Sequence, residues 1–466
     1  MNTLRGWFTG LACLALVWGS ASILVADDPS DDELIEMVTT LLNDTDKDIR
    51  ALGFEQVRTS AKGTAATQKF AALLPTLKSD AQVGLLSALA DRRDAAALPA
   101  VLEILGPSSD EGVRVAALSA LGWLGGPNEI KAILPKLWQG AAAETAAARA
   151  SLVRLQGDSV ATLLAAELAS ASPTQQVTLL QILSERRALD TIPDMLKAAN
   201  SSDVSVREAA MIALGQLATT DHLAGMLQGV LKAEPGKERE AAEKAVMQVC
   251  ARVEDLDQRS AAALTAVESL NDKERLALLP TLGRIGGAPI LKVLEIAVAD
   301  SDPAVHEAGI RALCNWPDAS LAPRLLELTR AEKHAEHRTR ALRALIRIAV
   351  LPDGRPDADK LALLRTAWEA CEQDAERNLI LQRAQAIRHI ETLRFLLPYL
   401  DQPKHAQQAC QSIVELAHHR ALRDENKAEF HQALDKVLAT SSDATVKERA
   451  TRYKKGQTWV RPAEGK

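Results

Sequence analysis

The chain has 466 residues, of which 47% are hydrophobic, 25% are charged and only 3% are aromatic. Those fractions exclude wholesale disorder, and the length exceeds the ~250–300 residues beyond which one compact core stops growing, so several domains or a repeat array are expected. The net charge of −6 does not favour polyanionic partners, and nucleic acid is therefore not expected as a partner.

The first 26 residues have the features of a cleavable export signal. Arg5 makes the start positive, an apolar stretch runs from Leu11 to Trp18, and small residues follow. Cleavage after Ala21, Ser22 or Ala26 fits this pattern. The apolar stretch is short for a span of ~20 residues, which disfavours an uncleaved anchor. We predict that residues 1–26 are a signal peptide, that the protein is periplasmic or secreted, and that no membrane span follows cleavage.

Internal repetition begins soon after this segment. An aspartate is followed after two residues by Val or Ile and then by a basic residue. This pattern starts at five aspartates, namely Asp46, Asp110, Asp203, Asp302 and Asp443. The distance from Asp46 to Asp443 (443 − 46) is 397 residues, which twelve steps of about 33 residues would fill. A period of this length is typical of stacked helix pairs.

Each repeat unit contains the pattern of two helices, as the segment 95–127 illustrates. Apolar residues recur there at three- and four-residue spacing on both sides of a Gly-Pro-Ser-Ser-Asp turn. Prolines recur near the first helix, at Pro99, Pro193 and Pro323, and their fixed position predicts a kink in every such unit. Ala-Leu-Gly ends several second helices, and Thr-Leu-Gly ending at Gly283 is a variant of it.

These motifs resemble the HEAT-repeat family over nearly all of the mature chain. The resemblance implies an all-α fold, an armadillo-like α-α superhelix of about thirteen stacked helix pairs over residues 27–456, followed by a tail at 457–466. It also implies that the second helices line a concave surface, a kind of surface that binds extended partners. HEAT-like repeats also resemble those of phycobilisome lyases, which gives an enzyme as an alternative.

The recurring aspartates and arginines have a structural interpretation. An aspartate at a helix start caps free backbone amides and faces the positive end of the helix dipole. In HEAT proteins the aspartate and arginine side chains bond between neighbouring turns. We therefore assign the five aspartates, together with Arg50, Arg114 and Arg207, to a structural ladder rather than to chemistry.

Histidines raise the question of a metal site. His306-Glu307 resembles the His-Glu pairs with which HEAT-like enzymes such as deoxyhypusine hydroxylase hold two iron ions, but this chain has one such pair. One pair cannot supply the ligands of a two-metal site. His334 and His337 are one helical turn apart, yet the sequence shows no third ligand for them. We predict no metal and no cofactor.

The most basic interior stretch is 330–347. Arg340, Arg343 and Arg347 are spaced three and four residues apart, which places them on one helix face next to Arg338. Arginine suits planar oxyanions, so these four residues are a candidate anion- or carboxylate-binding stripe. A solvated helix face with no binding role is the competing interpretation.

Catalytic motifs are missing from the sequence, which has no GxSxG, HExxH, SxxK or phosphate loop. Cys250 and Cys314 are two units apart, too far for a disulfide, and are predicted to be free and buried. We predict a non-catalytic exported scaffold or adaptor that binds a protein or peptide. The alternatives are a HEAT-like lyase or metal-dependent enzyme, and a binder of acidic envelope polysaccharide.

Overall fold

The computed structural model describes residues 31–106 and 108–459, and every regular element in these ranges is an α-helix or a short 3₁₀ turn. The predicted signal peptide and the last seven residues lie outside the described residues. Thirteen helix pairs follow one another in the described part of the chain, which confirms the prediction of an all-α fold with about thirteen pairs.

The chain divides into two compact units, Met1–Val160 and Ala161–Lys466. The first contains the pairs α1 (Asp31–Leu42) and α2 (Lys47–Thr59), α3 (Thr64–Ala71) and α4 (Ser79–Arg92), α5 (Leu98–Leu105) and α6 (Glu111–Leu124), and α7 (Ile130–Gln139) and α8 (Ala142–Arg154). α9 (Ser159–Glu167) begins at the boundary and pairs with α10 (Pro173–Glu185).

The second unit continues with eight more pairs, and a short helix α25 (Arg420–Glu425) precedes the last of them. They are α11 (Ile192–Ala198) and α12 (Val204–Leu217), α13 (Leu223–Lys232) and α14 (Lys237–Cys250), α15 (Leu256–Val267) and α16 (Asp272–Ile285), α17 (Ala288–Val298) and α18 (Pro303–Cys314), α19 (Ala322–Ala331) and α20 (Ala335–Ala349), α21 (Asp357–Glu369) and α22 (Asp374–Ala384), α23 (Ile390–Leu396) and α24 (Ala406–His418), and α26 (Lys427–Thr440) and α27 (Ala444–Lys454).

Second helices form a layer within each unit. In the first unit, α2 packs on α4, α4 on α6, and α6 on α8. In the second unit, the second helix of each pair, from α10 to α27, packs on the second helix of the following pair. Their Leu and Ala side chains supply the core, and Leu118 and Leu121 of α6 are fully buried. Each such leucine contributes about 1.5–3 kcal/mol by leaving water, so neighbouring pairs stabilise one another.

Glycine in the Ala-Leu-Gly motif and in its Thr-Leu-Gly variant permits close approach of successive second helices. A Cβ atom on Gly283 of α16 would lie 2.1 Å from the carbonyl oxygen of Ala312 in α18. A Cβ on Gly122 of α6 would lie 2.8 Å from the Cα of Ser151 in α8. The motif therefore recurs because only glycine leaves room for the neighbouring helix at this position.

The predicted proline kink is wrong. Pro99, Pro193 and Pro323 each lie in the first turn of their helices, α5, α11 and α19, directly after a 3₁₀ turn. Proline is tolerated there because the first backbone N–H groups of a helix have no partner within the helix. Its recurring position therefore marks the start of the first helix rather than a bend within it.

Among the described residues, no helix combines the length and the apolar character that a membrane span requires. Of the predicted tail, residues 457–459 are described, and the ring of Trp459 lies 4.8 Å from the guanidinium of Arg449 in α27. Among the described residues, Cys250, Cys314, Cys371 and Cys410 are buried and free, in agreement with the prediction for the first two. Burial raises the pKa of Cys314 to about 12, so this thiol is unreactive.

Candidate functional site

Each recurring aspartate begins a second helix. Asp46, Asp110, Asp203, Asp302 and Asp443 are the N-cap residues of α2, α6, α12, α18 and α27, and each carboxylate accepts a backbone N–H from the first turn. A cap of this kind contributes ~1 kcal/mol by satisfying an amide that the helix leaves free. Capping accounts for all five aspartates.

The ladder arginines bond in two directions. Arg207 of α12 donates to the carbonyl oxygen of Ser201, six residues earlier, and to both carboxylate oxygens of Glu238 at the start of α14. Arg114 makes the same pair of contacts with Ser108 and Glu144. The arginine thus ties its own interhelix turn to the next repeat, and its partner there is a glutamate rather than the capping aspartate.

More residues share this ladder than the sequence pattern identified. Arg50 donates to the carbonyl oxygen six residues earlier, and so do three arginines of second helices that the pattern did not identify, namely Arg239, Arg338 and Arg377. Arg239 and Arg377 escaped detection because neither repeat has the preceding aspartate and Val or Ile of the motif. An arginine near the start of each second helix would have been a sufficient signal.

The predicted arginine stripe lies on α20, and two of its members pair with glutamates of different repeats. Arg340 reaches back to Glu307 of α18, at 2.6 Å. Arg343 reaches forward to Glu376 of α22, at 2.8 Å. These contacts bridge three successive second helices, and both guanidinium groups therefore have partners inside the protein.

The other two members of the stripe bond to backbone carbonyls. Arg347 donates to the carbonyl oxygens of Cys314 and Trp316 at the end of α18, and Arg338 belongs to the ladder. Anion binding by this stripe stays a prediction. The internal partners of all four arginines favour the structural interpretation that the sequence also allowed.

Next to this stripe, two imidazoles and a carboxylate converge. His306 of α18, Glu332 of the turn before α20 and His337 of α20 each offer one ligand atom, and these atoms lie within 4.8 Å of one another. His306 Nε2 lies 3.5 Å from Glu332 Oε2, and His337 Nδ1 lies 3.6 Å from Glu332 Oε1. The sequence paired His337 with His334, whereas the structure groups His337 with His306 and Glu332. His334 is not part of the group, although its ring centroid is 5.1 Å from that of His337.

Each imidazole is held in place through its other ring nitrogen, the one that is not near Glu332. His306 Nδ1 lies 2.6 Å from the carbonyl oxygen of Val298, and His337 Nε2 contacts a carboxylate oxygen of Glu307. Arg340 lowers the pKa of Glu307 against the opposing effect of burial. Burial raises the pKa of Glu332 as well, but the backbone N–H of His334 and the neighbouring imidazoles outweigh it and lower that pKa. Both carboxylates are therefore ionised at neutral pH.

The convergent group opens onto a cleft of about 820 Å³ between the repeats of α18 and α20. Four carboxylates, of Asp300, Glu307, Glu332 and Glu336, line it together with one lysine, Lys333. Sequence reasoning missed this arrangement because Glu332 lies in a turn, outside any repeat motif. The repeat period contained a usable signal, since His306 and His337 are 31 residues apart and therefore adjacent in successive units.

A second surface feature lies on the layer of second helices in the second unit. α10 and α12 leave a groove of about 330 Å³, lined by amides, small residues and the carboxylates of Glu185 and Glu208. Ile212 of α12 stands in this groove with 57% of its surface exposed. An exposed isoleucine on this layer contrasts with the buried apolar side chains that hold the layer together.

Repeated helix pairs, capping aspartates and the arginine ladder define an α-helical solenoid of stacked helix pairs, which resembles the HEAT type. No protein-family model matches the chain, and no curated protein matches it. Two solved structures with similar folds contain the karyopherin Kap121p, bound in one to the extreme C-terminus of the protein phosphatase Cdc14p and in the other to Pho4p. Both are 12% identical to this chain, cover 87% and 88% of it, and have TM-scores of 0.43.

Importin beta, crystallised in ammonium sulfate, is 11% identical over 90% of this chain, with a TM-score of 0.33. This chain covers 54% and 57% of the two Kap121p chains and 72% of the importin beta chain. It therefore spans a little over half the length of the two Kap121p chains. The resemblance to the HEAT type therefore rests on the repeats of this chain itself.

Proposed function

We propose that this protein is an exported, non-catalytic scaffold that binds an extended peptide segment of a partner protein on its layer of second helices. The observation that carries the proposal is the groove between α10 and α12 with Ile212 exposed inside it. Apolar side chains in a solvent-filled groove are costly in isolation and favour a partner that covers them. Stacked helix pairs present such grooves as preformed surfaces.

The lining of the groove indicates the chemistry of the partner. Glu208 favours basic side chains, and the side-chain N–H groups of Gln216 suit the backbone carbonyls of an extended peptide. Ile212 adds an apolar contact. The segment that fits this groove is therefore extended and carries an apolar residue beside lysine or arginine.

The test compares two exposed isoleucines. Ile212→Arg places a positive charge in the groove and should reduce capture of the partner at least tenfold, because burying an isoleucine is worth about 1.5 kcal/mol or more. Ile296 of α17 is 71% exposed but lies on a first helix, so Ile296→Arg is the matched control. The measurement is quantitative mass spectrometry of proteins captured from the exported fraction by the wild type and both variants.

The outcome depends on the contrast between the variants. A partner lost with Ile212→Arg and retained with Ile296→Arg supports the proposal. A partner retained equally by both variants, with helix content unchanged by circular dichroism, rejects the groove as its binding site. A wild-type protein that captures nothing specific at any salt concentration rejects the scaffold function itself.

Export is tested separately. The signal pattern of residues 1–26 leads us to propose that the mature protein begins after Ala21, Ser22 or Ala26. Amino-terminal sequencing of the protein isolated from its native compartment measures this directly. An intact amino-terminal segment on an intracellular protein would contradict the proposal of export.

A further inference from the structure

In the cluster of His306, Glu332 and His337, hydrogen bonds determine which nitrogen of each imidazole carries the proton. The carbonyl oxygen of Val298 can only accept a hydrogen bond, so His306 Nδ1 carries the proton and its Nε2 presents a lone pair. Glu307 is likewise an acceptor, so His337 Nε2 carries the proton and Nδ1 presents a lone pair. In the neutral imidazoles, both lone pairs therefore face the carboxylate of Glu332.

One of these lone pairs is also isolated from solvent. His337 Nδ1 is buried without a hydrogen-bond partner, and the side chain is 11% exposed. Its separation of 3.6 Å from Glu332 Oε1 is too long for a hydrogen bond. A buried acceptor without a donor costs about 1–3 kcal/mol. When both imidazoles are neutral, three electron-rich atoms thus converge, and a cation would satisfy all three.

The spacing of these atoms suits a particular class of cation. Zinc binds His nitrogen and Glu oxygen at about 2.0–2.2 Å, and a tetrahedral arrangement at that distance separates neighbouring ligand atoms by roughly 3.4 Å. His306 Nε2 lies 3.5 Å from Glu332 Oε2 and His337 Nδ1 lies 3.6 Å from Glu332 Oε1, both close to that value, and one ligand atom from each residue lies within 4.8 Å of the other two. Two imidazoles with one carboxylate are a ligand set that zinc uses when a fourth position stays open.

Contacts behind the imidazoles match those of metal-bound histidines. A ligating histidine characteristically donates its other N–H to a carboxylate or a backbone carbonyl, which fixes the ring and increases its basicity. His337 does so toward Glu307, which Arg340 in turn holds at 2.6 Å. His306 does so toward the carbonyl oxygen of Val298. Both rings are therefore already oriented for coordination.

We propose that His306, Glu332 and His337 bind one Zn²⁺ ion. The ion joins the repeat of α17 and α18 to the repeat of α19 and α20, because its ligands come from both. The remaining position faces the cleft, where carboxylates outnumber the single lysine and attract a cation. A water molecule or a donor atom of a bound partner completes the coordination there.

The test uses the full mature chain, freed of any affinity tag and of metal by EDTA. Competition between the protein and a chromophoric zinc chelator measures affinity, and elemental analysis measures stoichiometry. We expect one zinc ion per chain, and at least a 100-fold loss of affinity in His306→Ala and in His337→Ala. Glu307→Gln removes the carboxylate behind His337 without touching the metal, and it should weaken binding by about 10–100-fold.

Two further measurements make the result specific. His334→Ala is the matched control, because this histidine lies on the same turn but outside the ligand group, and its affinity should equal that of the wild type. Cobalt substituted for zinc should give the intense visible absorption of a four-coordinate site in the wild type and lose it in His306→Ala. Circular dichroism on every variant separates lost ligands from lost folding.

The proposal is rejected by any of three results. These are a metal-free chain that takes up no zinc, zinc affinity that is unchanged in folded His306→Ala and His337→Ala, and equal loss in His334→Ala. None of them bears on peptide binding at Ile212, which lies on a different helix pair.

Discussion

At the residue scale, one ladder contact occurs in two different environments. Arg207 and Glu238 are only 4% and 8% exposed, and they face each other through two hydrogen bonds. Arg50 makes the equivalent contact with Asp80, whose side chain is 61% exposed. Water solvates and screens the second pair but not the first, so the two pairs contribute different amounts to the free energy of unfolding.

Replacing each arginine by methionine tests this difference. Arg207→Met leaves the buried carboxylate of Glu238 without its partner, which should lower the free energy of unfolding by about 3–5 kcal/mol. Arg50→Met removes a pair that water already screens and should cost less than about 1 kcal/mol. Urea denaturation of the two variants and the wild type measures both. Equal losses would show that burial does not control the strength of the ladder.

Acid should remove the contribution of Glu238. Its hydrogen bond with Arg207 lowers its pKa below the ordinary 4.5, although burial opposes this effect. A carboxyl whose pKa is lower in the folded state stabilises that state above pH 4.5, and the benefit disappears as the pH falls through the lowered value. The difference in melting temperature between the wild type and Glu238→Gln should therefore be largest near neutral pH and vanish in acid.

Asp80→Asn provides the comparison, because its exposed carboxylate should give a small difference at every pH. A gap between the wild type and Glu238→Gln that stays constant from pH 7 to strongly acidic solution would mean that the carboxylate charge is not what stabilises the fold.

Residues differ in how far the sequence reveals their role. The capping aspartates act on amides two or three residues away, so a local motif is enough to find them. Glu238 and Glu332 contact residues of a neighbouring repeat. The positions of these contacts depend on the lengths of the turns between helices, which vary along the chain. The zinc ligands fall in this second group. The histidines were visible as individual residues, but their meeting depends on stacking.

At the element scale, the glycine of each Ala-Leu-Gly motif controls how closely second helices approach. Gly283→Ala would put a methyl group 2.1 Å from the carbonyl oxygen of Ala312, which is backbone and cannot turn away. α16 and α18 would have to separate, and overpacking of this kind costs about 1–3 kcal/mol. Thermal unfolding monitored by circular dichroism measures the loss.

Gly106→Ala is the matched control for this substitution. Gly106 has a φ of −71° that alanine adopts readily, and no atom lies within 4 Å of its added methyl group. Alanine there should be neutral or stabilise the protein by about 0.4–1 kcal/mol through the unfolded state. If Gly283→Ala lowers the stability no more than Gly106→Ala does, then the glycine of the motif is not required for close packing of the second helices.

The same elements show what periodicity can and cannot predict. Helix pairs follow from apolar residues at three- and four-residue spacing, and the recurring turn residues locate their ends. The proline was misread because its distance from the helix start is not visible in the sequence. The 3₁₀ turns before Pro99, Pro193 and Pro323 fix that distance, and such turns have no pattern of their own.

At the scale of the whole molecule, stacking makes stability a property of neighbours. Each second helix packs on the next one within its unit, and contacts across several repeats are few. The number of pairs was predictable because the period of about 33 residues fills the chain between the first and last motifs. The division near Val160 was not predictable, because the repeat pattern continues through it.

Nearest-neighbour stacking predicts that a destabilising substitution affects mainly the repeats next to it. Gly283→Ala loosens the contact between α16 and α18, so amide hydrogens there should exchange faster with solvent, and α14 and α20 should follow to a smaller degree. Exchange in α2 and α4 should match the wild type, because those helices lie in the other compact unit. Hydrogen exchange read by mass spectrometry resolves these segments. Uniformly faster exchange along the chain would instead mean that the helix pairs unfold as one cooperative body, and stability would then belong to the molecule rather than to its repeats.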